Sequence, residues 1–292
     1  MHQVLLFYKY VTVDDPQTLA ERFRVLMKKY ELLGRVIVAE EGVNATLEGL
    51  TENSERFFKE LFEDSRLSDI AVKRSIGEGK SFRRLSVKVR DEIVSTKFDK
   101  GEVDPRAKTA RKITPQELRF WYEKGKDFVV VDMRNDYEFQ SGHFKNSVNP
   151  KLSASRDLPN ALAKLEPLKN KTVLTVCTGG VRCEKMSAYL QAKGFNEVYQ
   201  LENGIHGYME KYPGRDFLGT LYTFDNRLVM DFGGEREIIG KCRLCSGQTE
   251  NYVNCANDEC HLHFLLCEEC LQGGREACSK KCEEILLAKG EV

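Results

Sequence analysis

The sequence predicts three modules in series: an α+β plait, an α/β unit built on a parallel sheet, and a cysteine-rich, metal-stabilised tail. Three observations carry this reading. Residues 1–92 follow a strand–helix–strand–strand–helix–strand order, which is the split βαβ pattern of a ferredoxin-like plait. Residues 113–215 alternate buried strands with helices, which implies a parallel sheet. Beyond residue 215 glycine and cysteine dominate, and the tail (216–292) holds eight of the ten cysteines. Residues 93–112 are charged, contain Gly101 and Pro105, and read as a linker.

In the first module, Val4 to Tyr10 is expected to be a strand. Asp14-Asp15-Pro16 starts a helix with proline in its first turn, and Leu19, Phe23, Leu26, Met27 and Tyr30 supply its apolar face. Gly34–Ala39 is a second strand, Glu40–Asn44 a turn, and Ala45–Glu48 a third strand. A second helix from Thr51 to Phe62 carries Phe57, Phe58, Leu61 and Phe62. Leu85–Val89, with alternating Val87 and Val89, closes the sheet as its final strand.

A basic run precedes that strand: Lys73, Arg74, Lys80, Arg83, Arg84, Lys88 and Arg90 against Glu78, with Phe82 among them. Most such runs are solvated faces. The functional alternative is a surface that tracks phosphates by releasing counterions.

In the second module, Ile113-Thr114-Pro115-Gln116-Glu117 carries a capping-box signature with proline at the first helical position. Asp127–Asp132 and Thr172–Val176 are apolar strands of a sheet covered on both faces, and Glu197–Leu201 is a third. Ala161–Leu168 is a helix, and Lys185–Lys193 another that Gly194 terminates. Gly142-His143 reads as a turn, with His143 structural. Catalytic loops of such sheets lie at the carboxyl ends of strands, where Asp132 and Cys177 fall.

Cys177 opens the loop Cys177-Thr178-Gly179-Gly180-Val181-Arg182, followed by Cys183 and a helix. Strand, glycine loop and helix gather backbone N–H groups around one point. A thiolate there is stabilised by those donors, by the helix dipole and by Arg182. Such settings lower a thiol pKa from about 8.5 to about 3.5–7.5. Cysteine phosphatases place their arginine six residues after the cysteine; Arg182 stands five after Cys177, a cradle better suited to a terminal sulfur or oxygen than to a phosphate ester. Cys183 is either a resolving thiol for an oxidised Cys177 or a small residue packed beneath the loop.

Cys242, Cys245, Cys255, Cys260, Cys267, Cys270, Cys278 and Cys282 supply eight thiols, enough for two tetrahedral zinc sites of four thiolates each. His261 and His263 are possible substitutes, and spacing does not fix which ligands pair. The tail has few aliphatic residues, so metal binding would contribute its folding energy directly.

Lys+Arg and Asp+Glu number 45 each, so no global field advertises a nucleic-acid or membrane partner. The N-terminus lacks the basic and apolar regions of a signal peptide, and no stretch approaches the roughly 18 apolar residues of a membrane span. The chain reads as cytoplasmic, and in a reducing compartment clustered cysteines favour metal ligation over disulfides.

The central module resembles the rhodanese family. The matching residues are Asp132, Arg134 and Glu138, then Gly142-His143-Phe144, then the Cys177 loop with Arg182, then Leu201-Glu202-Asn203-Gly204. Asn203 departs from the family's usual glycine pair. In rhodaneses the Asp and Arg mostly brace the loop and sheet edge, which assigns Asp132, Arg134 and Glu138 a supporting role. Cys-Thr-Gly-Gly-Val-Arg-Cys-Glu-Lys (177–185), Glu41-Gly42-Val43-Asn44 and the cysteine-rich tail are similar to one subgroup, the rhodanese-type tRNA uridine(34) hydroxylases. That resemblance implies conversion of the wobble uridine to 5-hydroxyuridine with molecular oxygen as co-substrate. It places the active cysteine at Cys177 and makes the tRNA anticodon arm the partner. Lys73, Arg74, Lys80, Arg83, Arg84 and Lys88 are the candidate tRNA contacts.

Two roles suit the thiolate. It can add to uracil C6, making C5 nucleophilic, or carry an activated oxygen as a sulfenic-type species. No flavin or nicotinamide fingerprint and no iron-binding facial triad are recognisable, and no residue pattern specifies the reductant. A persulfide-carrying sulfurtransferase and a non-enzymatic RNA- or protein-binding redox sensor are the alternative functions.

Overall fold

A computed structural model describes residues 1–99, 101–233 and 237–289. The N-terminal plait comprises β1 (His2–Tyr10), α1 (Pro16–Lys29), β2 (Leu33–Ala39), β3 (Gly42–Leu50), α2 (Thr51–Leu61), β4 (Val72–Gly77) and β5 (Leu85–Val89). Asp15 caps α1 by accepting the Gln17 and Thr18 amides, and Pro16 needs no such acceptor. The sheet order is β4-β1-β3-β2-β5. Strand alternation divides β1 between two faces. Leu5 and Phe7 join the core with Phe23, Phe57 and Phe58, while Val4, Leu6 and Tyr8 point away from the helices.

The strand that completes the plait beside β1 is Val72–Gly77, paired antiparallel from Phe7↔Val72 to His2↔Gly77. Leu85–Val89 is instead an added edge strand, parallel to β2. With Lys73, Arg74 and Ser75 at its centre, β4 lacks the apolar alternation that marks a strand, because Lys73 and Ser75 on one face line a cavity. Gly42–Asn44, expected in a turn, already pairs in β3.

The central unit runs β6 (Arg111–Ile113), α3 (Pro115–Glu123), β7 (Val129–Asp132), α4 (Asp136–Ser141), β8 (Gly142–Phe144), α5 (Leu158–Leu165), β9 (Thr172–Val176), α6 (Val181–Ala192), β10 (Glu197–Leu201) and α7 (Gly204–Lys211). Its sheet is parallel, in the order β6-β10-β9-β7. The capping box at Thr114 and Glu117 forms as read from the sequence. Helix α6 begins four residues earlier than its apolar pattern suggests. Every residue from Arg182 to Leu190 is buried, so polar side chains of its first turn occupy an interface and mask the periodicity.

Gly142-His143 is not a turn. It belongs to β8, which pairs antiparallel with β11 (Phe217–Gly219) and so stitches the tail to the central unit. His143 stacks on Phe139, and its Nδ1 lies 3.0 Å from the Phe139 carbonyl. Residues 93–110 form no helix or strand among those described, yet Ile93, Val94 and Ala110 are buried. The tail continues with β12 (Leu221–Tyr222), β13 (Val229–Met230), β14 (Tyr252–Asn254), β15 (His263–Leu265), α8 (Glu268–Gln272) and α9 (Lys280–Lys289). Its core is built largely of cysteine, with Phe264, Leu266 and Leu286 beside Cys242, Cys255, Cys270, Cys278 and Cys282. Among the described residues no helix is long and apolar enough to cross a membrane.

Candidate active site

Cys177 leaves the end of β9, and its backbone is held by α7. The Ile205 amide donates to Cys177 O at 2.9 Å and the His206 amide to Thr178 O at 3.0 Å. This close approach explains Gly204. It lies at φ +64°, and a Cβ there would sit 2.5 Å from Cys177 O and 2.7 Å from Thr178 O. Asn203, the departure from the usual glycine pair, adopts φ 61°, a left-handed conformation that asparagine tolerates better than most residues. Gly204→Ala is expected to displace the loop and lower the melting temperature. The left-handed strain alone costs about 1–2 kcal/mol before the clash is relieved. A wild-type melt would reject this account.

The Cys177 thiol is fully buried. Its Sγ accepts the Gly180 amide at 3.2 Å and also a hydrogen bond from Cys183. Burial raises its pKa, but hydrogen bonds from Cys183 and Gly180 together with the Arg182 charge outweigh it and bring the thiol down to about 6. Cys183, buried beside the resulting thiolate, moves well upward. A depressed folded-state pKa contributes stability that is present above the free-thiol pKa and lost as pH falls toward 6. The wild-type minus Cys177→Ser difference in thiolate ultraviolet absorbance should therefore titrate near pH 6; a midpoint near 8.5, the ordinary thiol value, would contradict it.

The supporting residues form two buried ion pairs. Arg182 makes a bidentate contact with Glu138, Nη1–Oε2 2.6 Å and Nη2–Oε1 2.8 Å, and Arg182 Nη2 also donates to Thr178 Oγ1 at 3.0 Å. Glu138 additionally accepts the Asn135 amide at 2.9 Å, fixing the start of α4. Arg134 pairs with Asp132 and donates to Gly142 O at 2.6 Å, tying the end of β7 to β8. Glu138 thus holds Arg182 in the loop, while Asp132 and Arg134 brace the sheet edge behind it.

The plait roofs this loop, a feature invisible in the motifs taken singly. The open face of its sheet lies over Gly179 and Gly180: a Cβ on Gly179 would meet Leu6 Cδ2 at 2.6 Å. Tyr8 OH donates to Glu184 Oε1 at 3.1 Å and Tyr10 OH to Val181 O at 3.1 Å. Lys185 Nζ bridges Glu41 and Glu92, at 2.8 Å to each. Glu41 Oε1 also accepts the Ile93 amide at 2.8 Å, and Asn44 Nδ2 donates to Ile93 O at 3.2 Å. The two motifs, 41–44 and 177–185, are therefore halves of one clamp. Lys185→Met is expected to leave two partly buried carboxylates unpaired and to loosen the plait, read as faster proteolysis between the modules; an unchanged digest would argue against the clamp.

Between roof and loop lies a cavity of about 380 Å³. Leu6, Tyr8, Ile37 and Lys73 come from the plait, Thr178, Gly179 and Arg182 from the loop, and Thr223, Phe224 and Arg227 from the start of the tail. The tail segment is anchored to the plait by the Asn226 amide on Ser81 O at 3.0 Å and by Arg227 Nη1 on Ser75 Oγ at 2.9 Å. Phe224, half-exposed, lies over the Arg182 guanidinium at 5.5 Å.

The basic run divides. Lys73 is buried and lines the cavity. Arg74 points to the other face, where it pairs with Glu55 at 3.0 Å and covers the Phe58 ring. Lys80, Arg83, Arg84 and Lys88 are exposed.

The tail cysteines gather into two interleaved groups: Cys242, Cys245, Cys267 and Cys270, and Cys255, Cys260, Cys278 and Cys282. Within each group the sulfurs lie within 4.8 Å of one another, with Cys245–Cys267 at 3.5 Å and Cys278–Cys282 at 3.7 Å. A tetrahedron of thiolates with metal–sulfur bonds of about 2.3 Å has edges of about 3.8 Å, so both groups fit a four-thiolate metal site. None of the ten cysteines forms a disulfide. His263 contacts Asn254 and Tyr222 instead of joining a ligand set.

Three sequence profiles match the chain: a UPF0176 acylphosphatase like domain over residues 2–93, a Rhodanese-like domain over 114–211, and a Rhodanase C-terminal region over 218–283. A tRNA uridine(34) hydroxylase of Staphylococcus carnosus (strain TM300) is 39% identical over 287 residues, 97% of this chain and 90% of that protein. The chain belongs to the tRNA uridine(34) hydroxylase family. The enzyme of that name from Staphylococcus aureus (strain Newman) is likewise 39% identical, over 96% of this chain and 89% of its own length. Among solved structures, a Rhodanese-like domain protein from Staphylococcus aureus is 30% identical over 34% of this chain and 90% of its own, with a TM-score of 0.29. The family resemblance thus spans the plait, the loop unit and the tail together.

Proposed function

We propose that this protein hydroxylates tRNA uridine 34 to 5-hydroxyuridine, with molecular oxygen as co-substrate and Cys177 as the reacting thiol. Kinship with the hydroxylases over nearly the whole chain supports the substrate and product. The observation that carries the residue assignment is the roofed cavity over the Cys177 loop. It is large enough for a single flipped nucleobase, and wobble bases in anticodon loops are available for extrusion. The reaction consumes uridine, O₂, two electrons and two protons, and yields 5-hydroxyuridine and water; the electrons come from an external reductant. Thiolate addition at C6 would make C5 electron-rich, which is the chemistry C5 hydroxylation needs.

Exposed Lys80, Arg83, Arg84 and Lys88 of the plait are the proposed contacts to anticodon-arm phosphates. Arg74, paired with Glu55, is the weakest of the candidates. Zinc is the proposed metal of both tail clusters, since four thiolates in tetrahedral spacing suit it. The cytoplasm, where tRNA is modified and thiols stay reduced, is the proposed location.

A persulfide carrier would present the same Cys177 loop to a sulfur acceptor. Nucleoside mass analysis of tRNA from a deletion strain separates the readings. Loss of 5-hydroxyuridine-derived species, restored by the wild-type chain and not by Cys177→Ser, is expected. Loss of thiolated nucleosides would indicate sulfur transfer, and no change would indicate a binding protein.

A further inference from the structure

Lys73 sits on β4 with its side chain directed into the cavity, only 6% exposed, and its Nζ 5.2 Å from the centroid of the Tyr8 ring. Among the described residues it forms no ion pair or hydrogen bond. A lysine that only grips RNA would stand in solvent as Lys80 and Arg83 do, whereas Lys73 is held along the cavity wall with its ammonium free to meet a guest. The neighbouring hydroxyls are engaged elsewhere: Tyr8 donates to Glu184 and Tyr10 to Val181 O. Charged and titratable groups near Nζ include Tyr8 on β1, Cys177 at the loop, Glu184 on α6, Glu210 on α7 and Lys112 on β6, and Arg35, Arg182, Asp225 and Arg227 line the same cavity. His206 on α7 also lines the cavity.

We propose that Lys73 is a catalytic residue of the uridine reaction: the cation on the cavity wall opposite the Cys177 loop and the acid that protonates the base as the Cys177 thiolate adds. This rests on the hydroxylase reading above. The step balances within the residues present. The Cys177 sulfur pair forms the S–C6 bond, the C5=C6 π pair shifts toward C4, and the C4=O4 π pair takes the Nζ proton. The product is a neutral enol adduct, an electron-rich C5 and a neutral Lys73 amine; no electrons enter or leave. Burial brings the lysine down to about 8, with the Cys177 and Glu210 charges opposing the shift, so the ammonium persists at neutral pH yet gives up its proton readily.

The test compares Lys73→Met, Lys73→Arg and Cys177→Ser in a deletion strain, scoring 5-hydroxyuridine-derived nucleosides. The purified full-length chains are measured for tRNA affinity, melting temperature and the thiolate absorbance midpoint. Lys73→Met is expected to lower product about 100-fold or more while tRNA affinity stays within about twofold. Its thiolate midpoint should rise by about one pH unit as the cation opposite the loop is lost. Lys73→Arg keeps a charge but not a releasable proton, so its midpoint should stay low while product remains depressed. Wild-type product with an unmoved midpoint in Lys73→Met would overturn the proposal, as would a loss of product matched by an equal loss of tRNA affinity. Product in Cys177→Ser would instead refute the Cys177 reading; the midpoint in Lys73→Met would still decide whether Lys73 acts on the thiolate. Should Lys73→Met fail to fold, the Lys73→Arg pair of readouts decides alone.

Discussion

Stripping metal from the tail is expected to unfold it. The hydrophobic core there is small and much of it is cysteine, so Phe264, Leu266 and Leu286 cannot hold β14, β15, α8 and α9 together unaided. Structural zinc in small four-ligand sites contributes about 10–16 kcal/mol of apparent folding energy at neutral pH, comparable to an ordinary domain's whole stability. Because the two ligand groups interleave along the chain, a metal in each would tie together segments on both sides of the other's ligands. Losing one should therefore release both. Cys245→Ala is expected to act as partial chelation does, since it opens the first group at its most exposed corner. The measurement is metal content beside limited proteolysis. Two zinc equivalents and a protected tail are expected before chelation, and rapid cleavage of the tail after it. A tail that stays protected with its metal removed would contradict the account.

Replacing Glu138 has the next largest expected effect. Its carboxylate is fully buried, receives both arms of the Arg182 fork and caps α4 through the Asn135 amide. Glu138→Ala leaves Arg182 charged, buried and unpaired, at a cost of about 3–5 kcal/mol. Glu138→Gln keeps the shape and part of the hydrogen bonding and should lose less. The sign of the effect on Cys177 is opposite to that on stability. With its carboxylate partner gone, the Arg182 charge acts on the thiolate uncompensated, so the Cys177 midpoint should fall further in Glu138→Gln even as the melting temperature drops. A midpoint that rises would show that Glu138 acts only by positioning the arginine.

The sequence made the central unit legible because its strands obey the simplest rule. Thr172–Val176 and Glu197–Leu201 are short apolar runs bounded by turns, and both form with the bounds read from them. The capping box at Thr114 was equally plain. Legibility failed where function or an interface overrides periodicity. Val72–Gly77 hides as a strand because its inward positions hold Lys73 and Ser75, which line the cavity. The start of α6 hides because Arg182, Glu184 and Lys185 are buried against Glu138, Tyr8 and Glu41. The motif at 41–44 could be matched but not explained, since its partner Lys185 lies far along the chain. The cysteine count allows two four-thiolate groups, but the interleaved grouping required the fold to bring Cys242 and Cys245 beside Cys267 and Cys270.

Lys73 illustrates the same limit. In a basic run it reads as one surface cation among several, and only the docking of the plait's open face over the loop turns it inward. The plait is thus both the roof of the cavity and the source of Lys73, while Phe224 and Arg227 close the third side. A reaction that must exclude bulk water from an activated base gains from such enclosure.

In the proposed reaction Cys177 directs an oxygen atom from O₂ onto uridine 34. Cells lacking the protein, carrying either the wild-type chain or Cys177→Ser, can be pulsed with ¹⁸O₂ and their tRNA nucleosides weighed. One ¹⁸O atom in newly made 5-hydroxyuridine-derived nucleosides is expected with the wild-type chain and no product with Cys177→Ser. Unlabelled product, its oxygen drawn from water, or labelled product made without the thiol, would contradict it.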